Sequence, residues 1–216
     1  MSTQQIPPFT RDALALLFRQ DNFQAFQQPG FPSHYWAPLL AACCGASRDE
    51  VFLLVPDDLV RMQDFWLLHL HSTGTKTLPA RKVPLHPWLR QLGFVDFVEE
   101  RRKSAPKKRL FAEYKAGREN AGMLFSRAFV RWIKTTVAAL PEEQQPIFAE
   151  DFHFPSLRAL FREELARTGL SPSTLHLLRG GEGDDAQAAA EIASIPIESC
   201  FPSLPPFTAM HNDSNP

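Results

Sequence analysis

The spacing of apolar residues changes in the middle of the chain, and this change limits the fold more than any other feature of the sequence. Residues 35–46, YWAPLLAACCGA, are apolar almost throughout, which predicts a buried helix closed near its glycine. Residues 65–71 and 81–85 are instead short β-like runs. The turn-forming segment STGTKT follows the first of them, which predicts a hairpin around Lys76. With residues 59–62 as a candidate third strand, the expected class is α+β, a mainly helical domain with one small antiparallel sheet.

The remaining segments are predicted to be helical, because apolar residues recur at helical spacing and Pro, Ser or Gly marks several of their ends. The predicted helices cover residues 11–18, 87–102, 121–140, 155–168, 171–178 and 185–194. A proline-rich stretch follows them, and we expect residues 199–216 to form a C-terminal tail. Residues 1–8 are expected to form an N-terminal tail, which leaves residues 9–198 as one domain.

The size and the overall charge of the chain exclude several classes of protein. With 216 residues, 44% of them apolar, the chain is large enough for one well-packed globular domain. It has no run of 18 apolar residues that would span a membrane, no recognisable secretion signal and too few cysteines for a disulfide framework. We therefore expect a cytoplasmic protein without a membrane partner. The net charge of −1 excludes a uniformly basic coat for nucleic acid, although not a local basic patch.

Charged residues are distributed unevenly along the chain. Residues 99–134 contain eleven Lys and Arg but four acidic residues, whereas residues 142–191 contain ten acidic and four basic residues. Two interpretations of the basic segment remain open. It is either a solvated face of a helix and loop, or a face that binds the phosphates of nucleic acid.

Three segments, in this order, resemble the catalytic domain of tyrosine recombinases, the phage integrase family. The first, YWAPLLAACCGASRDEVFLLVPDDL, is similar to the family's stretch that ends in G-A-R-x-x-E-I-x-x-L and an acidic pair. The second, from HSTGTK to LFAEY, is similar to the hairpin that carries a lysine and to the R-x-V-P-L-H-P strand and helix. The third, FHFPSLRALFREELARTGLSPSTLHLLRGGEGD, is similar to the H-x-L-R-H-T-F helix and the L-x-G-H turn. Together they cover most of residues 9–185, so the resemblance implies a tyrosine-recombinase catalytic-domain fold.

Residue by residue, the resemblance implies that two active-site positions of the family are kept. Lys76 matches the hairpin lysine, and Arg158 in SLRALF matches the second arginine. Such cations stabilise the charge that grows on a phosphate during strand cleavage. Uncharged residues occupy the other positions that the family fills with Arg, His or Trp: Ser47, Pro155, Ala159 and Gly181, or Gly180 if the register moves by one. Arg48 is expected to point elsewhere on its helix, and His153 would replace the missing histidine only if its loop is bent.

The covalent nucleophile of the family has no match. Its tyrosine is expected beyond the Gly-Gly turn, but residues 181–216 contain no tyrosine, and Tyr35 and Tyr114 lie in the wrong motifs. Ser199 and Cys200 are nucleophile types in about the right region, but nothing in the sequence places a base or cation beside them. The resemblance therefore implies a recombinase fold without recombinase chemistry.

We therefore predict a catalytically inactive, integrase-derived protein that binds duplex DNA or a protein partner, such as an intact recombinase, as a regulator of a mobile element. One alternative is a recombinase or integrase subunit that acts in DNA integration with an altered or partner-supplied nucleophile. A third hypothesis is a pure protein-interaction module whose basic face binds no DNA.

No cofactor is expected, and no metal site, because His69 and His71 lack Cys or carboxylate pairs at metal spacing. The residues expected to contact DNA are Lys76, Arg81, Lys82, Lys107, Lys108, Arg109, Arg127, Arg131 and Arg158, of which Lys76 and Arg158 are the inactive catalytic remnants.

Overall fold

The computed structural model describes residues 6–73, 79–114, 120–148, 152–202, 204 and 207. Within these residues it contains ten α-helices and one small antiparallel sheet, so the expected mainly helical α+β class is confirmed. The helices before the sheet are α1 (Arg11–Leu17), α2 (Gln20–Phe26), α3 (Ser33–Cys44) and α4 (Arg48–Val51). Those after it are α5 (Pro87–Gln91), α6 (Phe94–Ser104), α7 (Ala121–Ala139), α8 (Phe154–Thr168), α9 (Pro172–Leu178) and α10 (Asp185–Ala193). None of these described helices is both long enough and apolar enough to cross a membrane.

The sheet consists of the strands β1 (Leu59–Arg61), β2 (Trp66–Leu70) and β3 (Arg81–Pro84), in that order. The central strand β2 pairs antiparallel with both neighbours, and its residue Leu68 is opposite Leu59 and Val83. Because side chains alternate between the two faces of a strand, these three residues share the buried face, and Lys82 pairs with His69 on the other face. The three predicted strands are therefore confirmed. Residues 74–78, which include Lys76, lie outside the described residues.

The core is centred on α3, whose twelve residues are all buried. Helix α8 packs along α3, and aromatic side chains of α2 and α7 fill the space on another side, where the rings of Phe26 and Trp132 stack with centroids 4.6 Å apart. Helix α3 ends at Gly45, which has a φ angle of +61° and lets the chain turn directly towards α4. The end of α3 is therefore held between α4 and α8.

The expectation of one helix over residues 87–102 is wrong, because two helices, α5 and α6, occupy this region. They are separated at Gly93, whose φ angle of +92° lies in the left-handed region that glycine adopts readily and that interrupts helical hydrogen bonding. The apolar residues on both sides of the break are still buried, including Leu89, Phe97 and Val98. Apolar residues are thus spaced as in a helix both before and after Gly93. For this reason their spacing alone does not show that the helix is interrupted there.

The chain after α10 packs more closely than expected for a tail that begins at residue 199. The side chains of Cys200 and Phe201 are only 0% and 3% exposed. The Phe201 ring contacts Phe18 and Trp88, with centroid distances of 4.8 and 5.4 Å. The hydrophobic core therefore continues past residue 198 because these two side chains bury apolar surface against the first helix and α5.

Candidate functional site

A cavity of about 390 Å³ opens where the end of α3, strand β3 and helices α8 and α9 meet. Four arginines line it: Arg81, Arg158, Arg162 and Arg179. Most of the remaining wall is apolar and is formed by Val83, Phe161, Leu165, Leu170, Leu175 and Leu178. No acidic residue is among the described residues of the lining. The cavity thus combines positive charge with an apolar wall.

Arg81 is the most buried of the four arginines, and its charge is neutralised inside the protein. Its guanidinium forms an ion pair with Glu50, in which Nη2 is 3.3 Å from Oε2, and it donates to the carbonyl oxygen of Gly45 at 3.2 Å. The Glu50 carboxylate also accepts a hydrogen bond from the backbone N–H of Ser47 at 2.6 Å. Arg81 therefore connects β3 to the α3–α4 turn. The sequence predicts that Arg81 contacts DNA, and the structure places its guanidinium in this buried ion pair beside the cavity.

Arg158 is half-buried on α8 and has a different environment. The pKa of the Arg158 guanidinium is lowered, mainly because burial removes part of its hydration. The positive charges of Arg81 and Arg162 also lower this pKa, while the negative charge of Glu50 opposes the effect. Among the described residues, no carboxylate lies within ion-pair distance of its guanidinium. A cation that is partly removed from water without a close counter-charge is unfavourable, so an anion in the cavity would be stabilised by Arg158.

Arg162 and Arg179 add two exposed cations to the same cavity. Arg162 follows Arg158 by four residues on α8, so the two side chains lie on one face of this helix. Arg179 is the residue that ends α9. In the part of the chain that the structure describes, neither arginine forms an ion pair, in contrast to Arg167 on α8, which binds Glu163 at 2.8 Å.

Two glycines follow α9, and the first of them packs closely against the segment that enters β3. A Cβ atom at Gly180, where φ is +94°, would lie 2.6 Å from Cγ of Pro79. A Cβ atom at Gly181 would lie 2.1 Å from Nε2 of His176. Gly180 therefore requires glycine, because its φ angle is unfavourable for other residues and a Cβ atom would overlap Pro79, whereas the exposed His176 side chain could move away from a Cβ atom at Gly181. The close packing of Gly180 holds the end of α9, and with it Arg179, against the segment that enters β3.

The cavity lacks an activated nucleophile among its described residues. Cys44 lines it, but burial raises the pKa of this thiol to about 12, so it stays protonated and weakly nucleophilic at neutral pH. Both tyrosines of the chain lie elsewhere. Tyr35 is buried within α3, and Tyr114 is hydrogen bonded to Nε2 of His34 at 2.7 Å. Burial raises the pKa of both tyrosine hydroxyls.

Of the residues predicted to contact DNA, the structure places Arg81 and Arg158 at the cavity. Six others have exposed side chains outside its lining: Lys82 on β3, Lys107, Lys108 and Arg109 after α6, and Arg127 and Arg131 on α7. Lys76 lies outside the described residues. The sequence patterns do not single out Arg162 and Arg179. The four-residue spacing from Arg158, which places both side chains on one face of a helix, is the signal that points to Arg162.

Ser47, Arg48 and His153, which the sequence offers at or beside the recombinase family's first arginine and its histidine, are not among the described lining residues. Ser47 caps α4, where its side chain accepts from the backbone N–H of Glu50 at 3.4 Å. Arg48 binds Asp49 at 3.0 Å and packs against α7, so it is absent from the described cavity lining, as the helix geometry predicts. His153 precedes α8 and is likewise not among the described lining residues.

The two histidines of the β2 region do not share a ligand site in the described structure. Nε2 of His71 is 2.6 Å from Oδ1 of Asp58, while His69 pairs across the sheet with Lys82. Within the described residues, no three His, Cys, Asp or Glu side chains come together in a way that could hold a metal ion.

Comparisons with known proteins give one similarity. No protein-family model matches the chain, and no curated protein is significantly similar to it. Among solved structures, the chain is similar to the integrase from mycobacterium phage Brujita, with 17% sequence identity and a TM-score of 0.46. The similarity covers 99% of this chain and 63% of the integrase chain, so this chain spans less than two thirds of that protein. A TM-score of this size does not by itself establish a common fold.

Proposed function

We propose that the protein binds duplex DNA through its phosphate groups and does not cleave it. The observation that carries this proposal is the cluster of Arg158, Arg162 and Arg179 around one cavity, without a carboxylate partner in the described structure. Guanidinium groups are well suited to phosphate, because their planar set of N–H donors can bind two of its oxygens at once. The exposed basic residues on β3 and α7 and after α6 supply further cations for the DNA backbone.

Binding without cleavage is supported by the chemistry of the cavity. Strand cleavage by a recombinase requires a nucleophile close to the bound phosphate, but neither tyrosine is among the described lining residues: Tyr35 is buried within α3, and Tyr114 is half-buried beside Nε2 of His34. Cys44 is at the cavity, but its thiol is protonated at neutral pH. Residues that act together in catalysis do not leave a slower version of the same reaction when several are replaced, so the covalent pathway is lost.

A protein of this kind would regulate a mobile element by occupying DNA, alone or beside an intact recombinase. This role follows from the sequence resemblance to tyrosine recombinases together with the missing nucleophile. It requires binding to DNA and no catalytic turnover.

Fluorescence anisotropy with a labelled 30-base-pair duplex tests the binding. The native protein should bind at low salt, and its affinity should fall steeply as the salt concentration rises, because bound phosphates release counterions. Arg162→Ala should weaken binding to all sequences alike, since phosphate contacts carry no base identity. Arg167→Ala is the matched control, because it removes an arginine of the same helix that is paired with Glu163. No binding at tens of micromolar protein would overturn the proposal.

A nicked suicide substrate tests the lack of cleavage. After denaturation, no protein–DNA adduct should remain. An adduct that maps to Ser199, Cys200 or either tyrosine would show that the protein retains covalent chemistry through an altered nucleophile. An adduct of an intact recombinase that forms only when this protein is also present would support the partner-supplied alternative.

A further inference from the structure

We propose that the arginine cavity accommodates one nucleoside monophosphate unit, with its phosphate on the arginines and its base on the apolar wall. This inference rests on the proposed function and names the ligand of the same site. The unit could reach the cavity as the unpaired terminal nucleotide of a DNA strand or as a free nucleotide. Both carry the phosphate and the base that the arginines and the apolar wall would bind.

The first argument is the shape of the site. Contact with the phosphates of an intact duplex needs only an exposed basic surface, such as the one formed by Lys107, Lys108 and Arg109. The arginine cavity instead has a volume of about 390 Å³, which is within the range of about 300–1,000 Å³ typical of small-molecule pockets. A phosphate alone would leave most of this space filled with water against an apolar wall.

The second argument is the composition of the wall. Five of its apolar side chains come from α8, α9 and the loop between them, namely Phe161, Leu165, Leu170, Leu175 and Leu178. Phe161 is held at the end of α3, since a Cβ atom on Gly45 would be only 2.5 Å from its ring. A preformed apolar wall beside cations suits a flat heterocycle attached to a phosphate better than a bare anion.

The third argument is the arrangement of the charges. Arg158 and Arg162 lie one helical turn apart on α8, and Arg179 reaches the cavity from the end of α9. A phosphate can therefore be held by guanidinium groups from two elements. A further guanidinium plane remains available to stack on a base, an interaction that arginine makes with unpaired nucleotides. No described lining residue carries a negative charge that would repel the phosphate.

Competition binding with three DNA molecules tests the inference on the intact chain. They share one 30-base-pair duplex and end bluntly, in a three-nucleotide single-stranded overhang, or in an overhang of the same length made of abasic sites. The overhang with bases should bind about fivefold or more tightly than the other two, because the abasic overhang keeps the phosphates and loses only the base. Free deoxythymidine monophosphate should abolish this preference at concentrations at which inorganic phosphate does not.

A substitution in the wall separates the base site from the phosphate site. Leu175→Asn should remove the preference for the overhang, so that this variant binds the overhang with bases no more tightly than the abasic overhang. The control Leu124→Asn makes the same change at a half-buried leucine of α7, outside the cavity, and should keep the preference. Circular dichroism of both variants verifies that they are folded.

The outcomes distinguish this inference from the proposed function. Equal binding of all three DNA molecules, together with no binding of free deoxythymidine monophosphate, would overturn the nucleotide site and leave DNA binding intact. Binding of the free nucleotide without any preference for the overhang would support the site with a free nucleotide as its source. Failure to bind any DNA or any nucleotide would overturn both proposals.

Discussion

The guanidinium of Arg81 and the carboxylate of Glu50 form an ion pair inside the protein, where their side chains are only 3% and 2% exposed. The pair joins strand β3 to helix α4, and Glu50 also holds the backbone N–H of Ser47. Its negative charge also acts on Arg158, the half-buried cation of the cavity. One carboxylate therefore supports both the local fold and the electrostatics of the site.

We expect Glu50→Gln to destabilise the protein by about 3–5 kcal/mol, because it leaves the buried charge of Arg81 without a counter-charge. The double variant Glu50→Gln with Arg81→Met removes both charges and should recover part of this loss. Urea unfolding followed by tryptophan fluorescence measures both values. A loss below about 1 kcal/mol for the single variant would show that the pair is not effectively buried.

We expect Gly45→Ala to be more destabilising than Gly169→Ala. Both glycines end a helix with left-handed φ angles, +61° and +66°, so both substitutions impose a backbone cost of about 1–2 kcal/mol. At Gly45 the new methyl group would also lie 2.5 Å from the Phe161 ring, whereas at Gly169 no atom lies within 4 Å. This overlap should add roughly 1–3 kcal/mol. Thermal unfolding of the two variants checks the difference, and equal losses would contradict the packing of Phe161 on Gly45.

Reversal of Lys107, Lys108 and Arg109 to Glu tests whether the basic segment contacts DNA. If these exposed residues bind phosphates, the triple variant should bind all duplex sequences more weakly, and each lost contact should flatten the log–log salt dependence by about 0.9. The control Arg61→Glu with Arg90→Glu reverses exposed arginines outside the basic segment. Each reversal should alter stability by no more than about 0.5 kcal/mol. Unchanged binding would favour a solvated face for residues 99–134.

The stability of the protein should fall at acidic pH because of His34 and His86. Burial lowers the pKa of both imidazoles, although their hydrogen bonds to the carbonyl oxygens of Phe26 and Ile195 partly oppose this effect. The unfolded chain, with an ordinary pKa of about 6.5, therefore binds more protons than the folded protein just below that pH. Stability from these groups is complete above about pH 6.5 and decreases as the pH falls towards the lower pKa of the folded state.

Urea unfolding at several pH values between 5 and 8 measures this effect. Each histidine should contribute a slope of at most about 1.4 kcal/mol per pH unit. His86→Gln should reduce the slope, because it removes one of the two buried imidazoles that titrate. In the folded protein the neutral His86 ring donates to the carbonyl oxygen of Ile195 and accepts from the backbone N–H of Trp88. An unchanged slope in this variant would contradict the buried neutral state of His86.

Local patterns in the sequence predict much of the fold but not its long-range contacts. The amphipathic spacing of residues 121–140 predicts α7, and the short β-like runs beside a turn-forming segment predict β2 and β3, because both signals depend on neighbouring residues. The burial of Phe201 depends instead on Phe18, which is far away in the sequence. No local pattern contains this contact.

The candidate site shows the same division. Arg158 is predicted through the resemblance to recombinases, whereas the burial of Arg81 is not, because it depends on an ion pair with a residue 31 positions earlier. Arg162 and Arg179 reach one cavity only after α8 and α9 fold against β3. A count of charges along the chain assigns both to an acidic segment and so conceals the cluster.

The burial of all three cysteines makes the protein suitable for thiol labelling as a measure of its opening motions. Cys43 and Cys44 lie within α3, and Cys200 lies near the last described residues. Burial raises the pKa of each thiol, so an alkylating reagent will react only when its cysteine becomes exposed. Local detachment of the C-terminal segment will appear as one modified thiol per molecule, and opening of the core as three. Mass spectrometry can therefore separate the two motions without a substitution.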